Sequence, residues 1–166
     1  MTIDLRAVTA LCAVAAVVGS GGRVSAASPD DLAGYQTTFS AQTEDPAPGR
    51  GPMTLTATVT IVSASASELR MRYGTLGRHA DGATARRVAS DVVVPLPSVT
   101  IDRSDSSIRF SCKGGANCIS WTHTDFYSDD GASFGAAGTS QTYGILLAPE
   151  AIAKLSASLC HLAACN

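Results

Sequence analysis

The sequence predicts a mostly β (α+β) fold in which about seven antiparallel strands carry one C-terminal amphipathic helix packed on the sheet. Three observations support this expectation. In Met53 to Val62, MTLTATVTIV, the residues Met53, Leu55, Ala57, Val59 and Ile61 alternate with Thr54, Thr56, Thr58 and Thr60. A period of two fits a pleated strand with one buried face and one β-branched outer row, and no helix can satisfy it. Further short alternating segments follow, separated by glycine, proline and small polar residues. Finally, after Pro149-Glu150, the residues Ile152, Leu155, Leu159 and Leu162 recur at spacings of three and four. That is the stripe of a helix lying on a core, with proline and an acidic residue suited to its first turn.

In chain order, a first strand is expected over Gly34 to Thr43, where Tyr35 and Phe39 share parity. Glu44 to Pro52 holds three prolines and two glycines and reads as a loop. The strand at 53–62 then pairs with Glu68 to Tyr73 in a hairpin, with Leu69, Met71 and Tyr73 inward and Arg70 and Arg72 beside the threonine row. Gly74 to Thr84, with three glycines, is expected to be a loop. Arg86 to Leu96 is a strand that ends at Pro95 or lies at an edge, and Ser98 to Asp102 is its short continuation. Ser107 to Cys112 and Cys118 to Thr124 form a hairpin about Lys113-Gly-Gly-Ala-Asn117. Asp125 to Ser140 reads as a long loop, and Gln141 to Leu147 as the last strand. This order of strands closed by a helix resembles the pleckstrin-homology-like superfold, a bent sheet plugged by its final helix. The resemblance is architectural and assigns no site residue. A single antiparallel sheet with one covering helix is the alternative.

The chain has 166 residues, 45% hydrophobic and 16% charged, which suits one folded domain. Ala7 to Gly19 is apolar or small, follows Arg6, and precedes Val24-Ser25-Ala26-Ala27, the layout of a secretory signal peptide. Residues 1–26 are read as that leader, with cleavage after Ala26 or, alternatively, Ala27. Residues 27–52 then hold a polar lead-in, the first strand and the Pro/Gly-rich loop, and 53–166 the rest of a single β-rich domain with its C-terminal helix. The apolar run is shorter than the roughly 20 residues a membrane span needs, so no transmembrane span is expected after cleavage. The mature chain is expected outside the cytoplasm, secreted or periplasmic. Net charge is −2, and Arg86-Arg87 is the single adjacent basic pair, which argues against a nucleic-acid partner.

Beyond Cys12 in the leader, Cys112, Cys118, Cys160 and Cys165 form an even set in an exported chain, so disulfides are expected. Local pairing, Cys112 with Cys118 and Cys160 with Cys165, needs least chain rearrangement, while crossed pairing would sew the helix to the hairpin. The first pair has a parity conflict: Cys112 shares a face with Phe110, whereas Cys118 opposes Ile119 and Trp121. The bridge then lies at the turn outside the ladder, or a bulge resets the register. The second pair requires the helix to end before Cys165. No Cys-x-x-Cys pair supports a zinc knuckle or redox centre, and no metal or cofactor is expected.

Motif chemistry is sparse. His123 and Asp125 stand two apart on an expected strand and so share a face, with Asp129 and Asp130 nearby. His79 and Asp81 occupy a glycine-rich segment, and Trp121 is the single tryptophan. Gly-x-Ser-x-Gly and Gly-x-Gly-x-x-Gly are absent. The leading expectation is a small exported, disulfide-containing, non-enzymatic module that binds a protein or small ligand. The alternatives are a small hydrolase or metal-dependent enzyme using His123 with Asp125 or His79 with Asp81, and a structural envelope-associated protein.

Overall fold

The computed structural model describes residues 32–45, 51–126 and 133–165. The expected leader, the polar segment before Leu32, most of the Pro/Gly-rich loop and the Asp129-Asp130 pair fall outside these residues. The described chain is mostly β, with strands β1 (Gln36–Glu44), β2 (Pro52–Ala64), β3 (Leu69–His79), β4 (Thr84–Val94), β5 (Val99–Arg103), β6 (Ser107–Cys112), β7 (Ile119–Phe126), β8 (Ser133–Ser140) and β9 (Thr142–Leu146). Helix α1 (Pro149–Leu159) and the two-residue β10 (Ala164–Cys165) end it.

The strands form two sheets. One has six strands in the order β1-β2-β3-β4-β7-β8, every neighbouring pair antiparallel. The other has the order β10-β5-β6-β9, antiparallel apart from the short β10–β5 pairing. The threonine-bearing strand is β2, paired with β1 and β3, and its Ala57, Val59 and Ile61 are buried. The side chains of Val59 and Ile61 join Met71 and Val92 of the same sheet, Ile101, Ile108, Phe110 and Ile145 of the second, and Ile152, Leu155 and Leu159 of α1 in one core. The helix starts at Pro149 with Glu150 in its first turn and has Cys160 as its C-cap, so Cys165 lies beyond its end.

Several expectations are corrected. The described residues hold ten strands, not about seven, in two sheets whose orders do not single out the pleckstrin-homology-like arrangement. Residues 74–84 are not a loop, because β3 runs to His79 and β4 begins at Thr84, leaving a tight turn. Gly74 and Gly77 take ordinary strand backbone, and the glycine that turns the chain is Gly82, at φ +85°. The segment read as a loop from Asp125 to Ser140 contains β8, a strand that apart from Phe134 consists of small residues and carries little β signal in composition. Ser98 to Asp102 does not continue β4, since β5 belongs to the second sheet. β4 lies inside its sheet between β3 and β7 and stops at Pro95.

The expected β6–β7 hairpin does not form: β6 pairs with β5 and β9, and β7 with β4 and β8. The parity conflict at Cys112 and Cys118 disappears, because the two strands face the core from different sheets. Three passages between the sheets, at Pro95–Ser98, Cys112–Cys118 and Gln141, meet at one corner. There the Cys112 N–H donates to Gln141 O (2.8 Å), the Cys118 N–H to Ser140 O (3.2 Å) and Lys113 Nζ to Pro97 O (2.9 Å). The Cys112–Cys118 disulfide spans this corner with Cα atoms 5.9 Å apart, and Cys160–Cys165 ties the end of α1 to β10 with 5.4 Å.

Candidate functional site

β7 turns Ile119, Trp121, His123 and Asp125 toward the inside of the six-stranded sheet. His123 Nε2 lies 3.3 Å from Asp125 Oδ2, with the imidazole partly exposed and the carboxylate buried. Their register partners on β4 are Ser90 and Val88. The Trp121 ring is 5.6 Å from the imidazole and tilted 46° to it, and its other flank lies over Gly138 of β8. A Cβ at Gly138 would stand 3.1 Å from Trp121 Cζ2, so glycine there seats the indole.

Ser90 is buried and hydrogen-bonded to Tyr143 of β9, while Tyr73 bonds the Leu146 backbone, so two phenols link the sheets. Their rings meet edge to face at 6.5 Å. Burial pushes the Tyr73 hydroxyl up to about 12, and burial likewise raises that of Tyr143. Ser90, opposite His123 in register, is thus held in a bond that bridges the two sheets.

His79 is not joined to Asp81. Its Nε2 lies 3.0 Å from Asp45 Oδ2, at the end of β3 where Met53 is its register partner. Asp81 accepts the Ala83 N–H at 2.9 Å and shapes the β3–β4 turn. Among the described residues no three His, Cys, Asp or Glu side chains gather as a metal would need. No helix among them is long and apolar enough to cross a membrane.

The outer face of the same sheet carries a different arrangement. On β1 and β2, Thr38 meets Thr58 at 3.4 Å, Ser40 meets Thr56 at 3.0 Å, and Gln42 Nε2 donates to Thr54 at 2.8 Å. The next two strands place Gly74 opposite Ala89 at the centre of this face. With so little side chain there, a hollow of about 280 Å³ opens, bounded by Thr56, Thr58, Thr60, Leu76, Arg72 and Arg87. Arg72 pairs with Asp91 at 3.0 Å, and Arg87 lies over the Phe126 ring at 5.2 Å. Arg87 has no carboxylate partner among the described residues.

A Cβ built at Gly74 would meet one neighbour, Val88 O, at 3.5 Å, an ordinary contact. Neither backbone conformation nor crowding therefore requires glycine at this position, and its effect is to leave the hollow open.

No protein-family model, curated protein or solved structure matches the chain.

The structure thus brings His123, Asp125 and Trp121 together and parts His79 from Asp81. Sequence reasoning missed Asp45, which stands in a segment read as loop, and the pairing of Ser90 with Tyr143, which depends on contact between sheets. It missed the hollow because Gly74 looked like a turn residue. The available signal was the parity of Gly74 with Arg72 and Leu76, which continues the outer row of β3.

Proposed function

We propose that this chain is an exported, non-enzymatic binding module that takes an acidic saccharide in the hollow on the outer face of its six-stranded sheet. The observation that carries this reading is Gly74, a central-strand position with room for a side chain and none present. Threonine hydroxyls on one side offer donors and acceptors, and Leu76 provides an apolar patch for a sugar ring. Arg87 is a planar cation able to hold a carboxylate through two parallel bonds. Sites for small ligands usually measure about 300–1,000 Å³. The hollow, at about 280 Å³, lies just below that range and is shallow, so a sugar would be held from one side with its other face in solvent.

Export rests on the leader sequence at residues 1–26, and two disulfides in a chain of this size suit an oxidising compartment. Mass spectrometry of the mature product is expected to find a chain beginning at Ala27 or Ser28. A mature chain that retains Met1 to Ala26 would support an envelope-anchored structural protein instead.

Calorimetric titration with an oligosaccharide of uronic acids and with a neutral oligosaccharide of equal length tests the ligand class. Binding of the acidic sugar alone, weakened by salt and by Arg87→Ala, is expected. Equal binding of both sugars, or of neither, would refute the reading. His123 and Asp125 lie on the opposite face, and His123→Ala is expected to leave the titration unchanged.

A further inference from the structure

Among the described residues, both ends of the six-stranded sheet are strands with no further neighbour, and the one at β8 has an unusual make-up. Ser133 to Ser140, SFGAAGTS, has no charge and no proline. Its pairing with β7 is continuous over eight residues with no bulge to twist the edge away. Monomeric β proteins protect such edges with lysine, proline, bulges or covering elements, since a bare ladder invites another strand. Phe134 adds a second observation: at 64% exposure it is the most exposed large apolar side chain among the described residues, and it sits on this edge.

From these features we infer that β8 is a self-association edge, occupied by β8 of a second copy of this chain in antiparallel register about Ala136. An antiparallel pair that continues one sheet must place like faces together, so its two-fold axis passes through a residue. Centred on Ala136, the register sets Phe134 against Gly138 twice, Gly135 against Ala137 twice and Ser133 against Thr139 twice. Each of the two exposed rings then lies on the same face as the Trp121 indole that already stands over Gly138, so Phe134 of one copy meets Trp121 of the other. Aromatic neighbours across strands favour such a register. The two six-stranded sheets would become one continuous sheet of twelve, with both ligand hollows on the same outer surface. This inference is independent of the ligand reading, because β8 does not line the hollow.

Sedimentation equilibrium of the purified chain across a concentration series tests it. A monomer–dimer equilibrium is expected, with the dissociation constant raised at least tenfold by Ala136→Lys, which sets two ammonium groups face to face at the axis. Ser40→Lys, on the opposite sheet edge, should leave it unchanged. Ala136→Cys keeps a small side chain and should form an intermolecular disulfide under mild oxidation, whereas Ser133→Cys, far from its own copy in this register, should not. A chain monomeric throughout the series, a dimer broken by Ser40→Lys in place of Ala136→Lys, or cross-linking at 133 in place of 136 would each overturn the inference.

Discussion

Removing the Cys112–Cys118 bridge should cost more stability than removing Cys160–Cys165, although the loops they close are nearly equal. The sequence separations are six and five residues. Chain entropy alone assigns each bridge about 2 kcal/mol, with a difference of about 0.2 kcal/mol. The structure breaks the tie. Cys112 is a buried member of the core, and its sulfur accepts the Cys118 N–H at 3.1 Å, at the corner where three sheet-to-sheet passages meet. Replacing both residues by alanine therefore also removes packed sulfur and a local hydrogen bond, adding about 1 kcal/mol. Cys160 and Cys165 are only partly buried and fasten a two-residue strand to an edge of the smaller sheet. Urea unfolding followed by Trp121 emission is the assay, since the indole lies three residues beyond Cys118. C112A/C118A should lower the midpoint by about 1–2 M, given the usual dependence of stability on urea for a chain of this size. C160A/C165A should lower it by less. Equal shifts, or a larger one for the terminal pair, would refute the assignment of the corner as the place where the sheets are held together.

Alkaline pH should destabilise the fold through the buried phenols. A hydroxyl held at about 12 against its ordinary 10 favours the neutral form in the folded state, so the associated stability is complete below pH 10. It is lost as pH rises toward 12, by about 2–3 kcal/mol for Tyr73, with Tyr143 acting in the same direction. Thermal melts between these limits should show a steep decline that Tyr73→Phe flattens. An unchanged slope in that variant would place the titrating group elsewhere. Asp125→Ala, which removes a buried carboxylate beside His123, should lower stability by about 1–3 kcal/mol in a neutral-pH melt. A melting point equal to the parent's would mean that this carboxylate contributes nothing to the packing of β7 on β4.

The β2 strand was legible because its alternation is complete and local. So were the hairpin with β3, the inward parity of Leu69 and Met71, and the terminal helix beginning at Pro149. Glycine misled wherever composition stood in for conformation. Gly74 and Gly77 lie in strand backbone, and β8, apart from Phe134, is built from glycine, alanine, serine and threonine, whose small side chains leave no alternation of apolar and polar residues to read. Division into two sheets was not legible, since an alternating segment states which face is buried but not which sheet contains it. The parity conflict at Cys112 and Cys118 was the one local trace of that division. It signalled that β6 and β7 do not share a ladder. The face shared by His123 and Asp125 followed from a spacing of two, whereas Asp45 as the neighbour of His79 depends on a contact 34 residues distant, which no local pattern encodes.

The central claim is that position 74 is empty for the sake of a ligand. Gly74→Thr tests it most directly, because threonine favours strand backbone by up to about 1 kcal/mol and has room for its Cβ. Urea unfolding and calorimetry on the same preparation should find an unchanged or higher midpoint together with loss of acidic-saccharide binding. Binding retained in that variant would contradict the account.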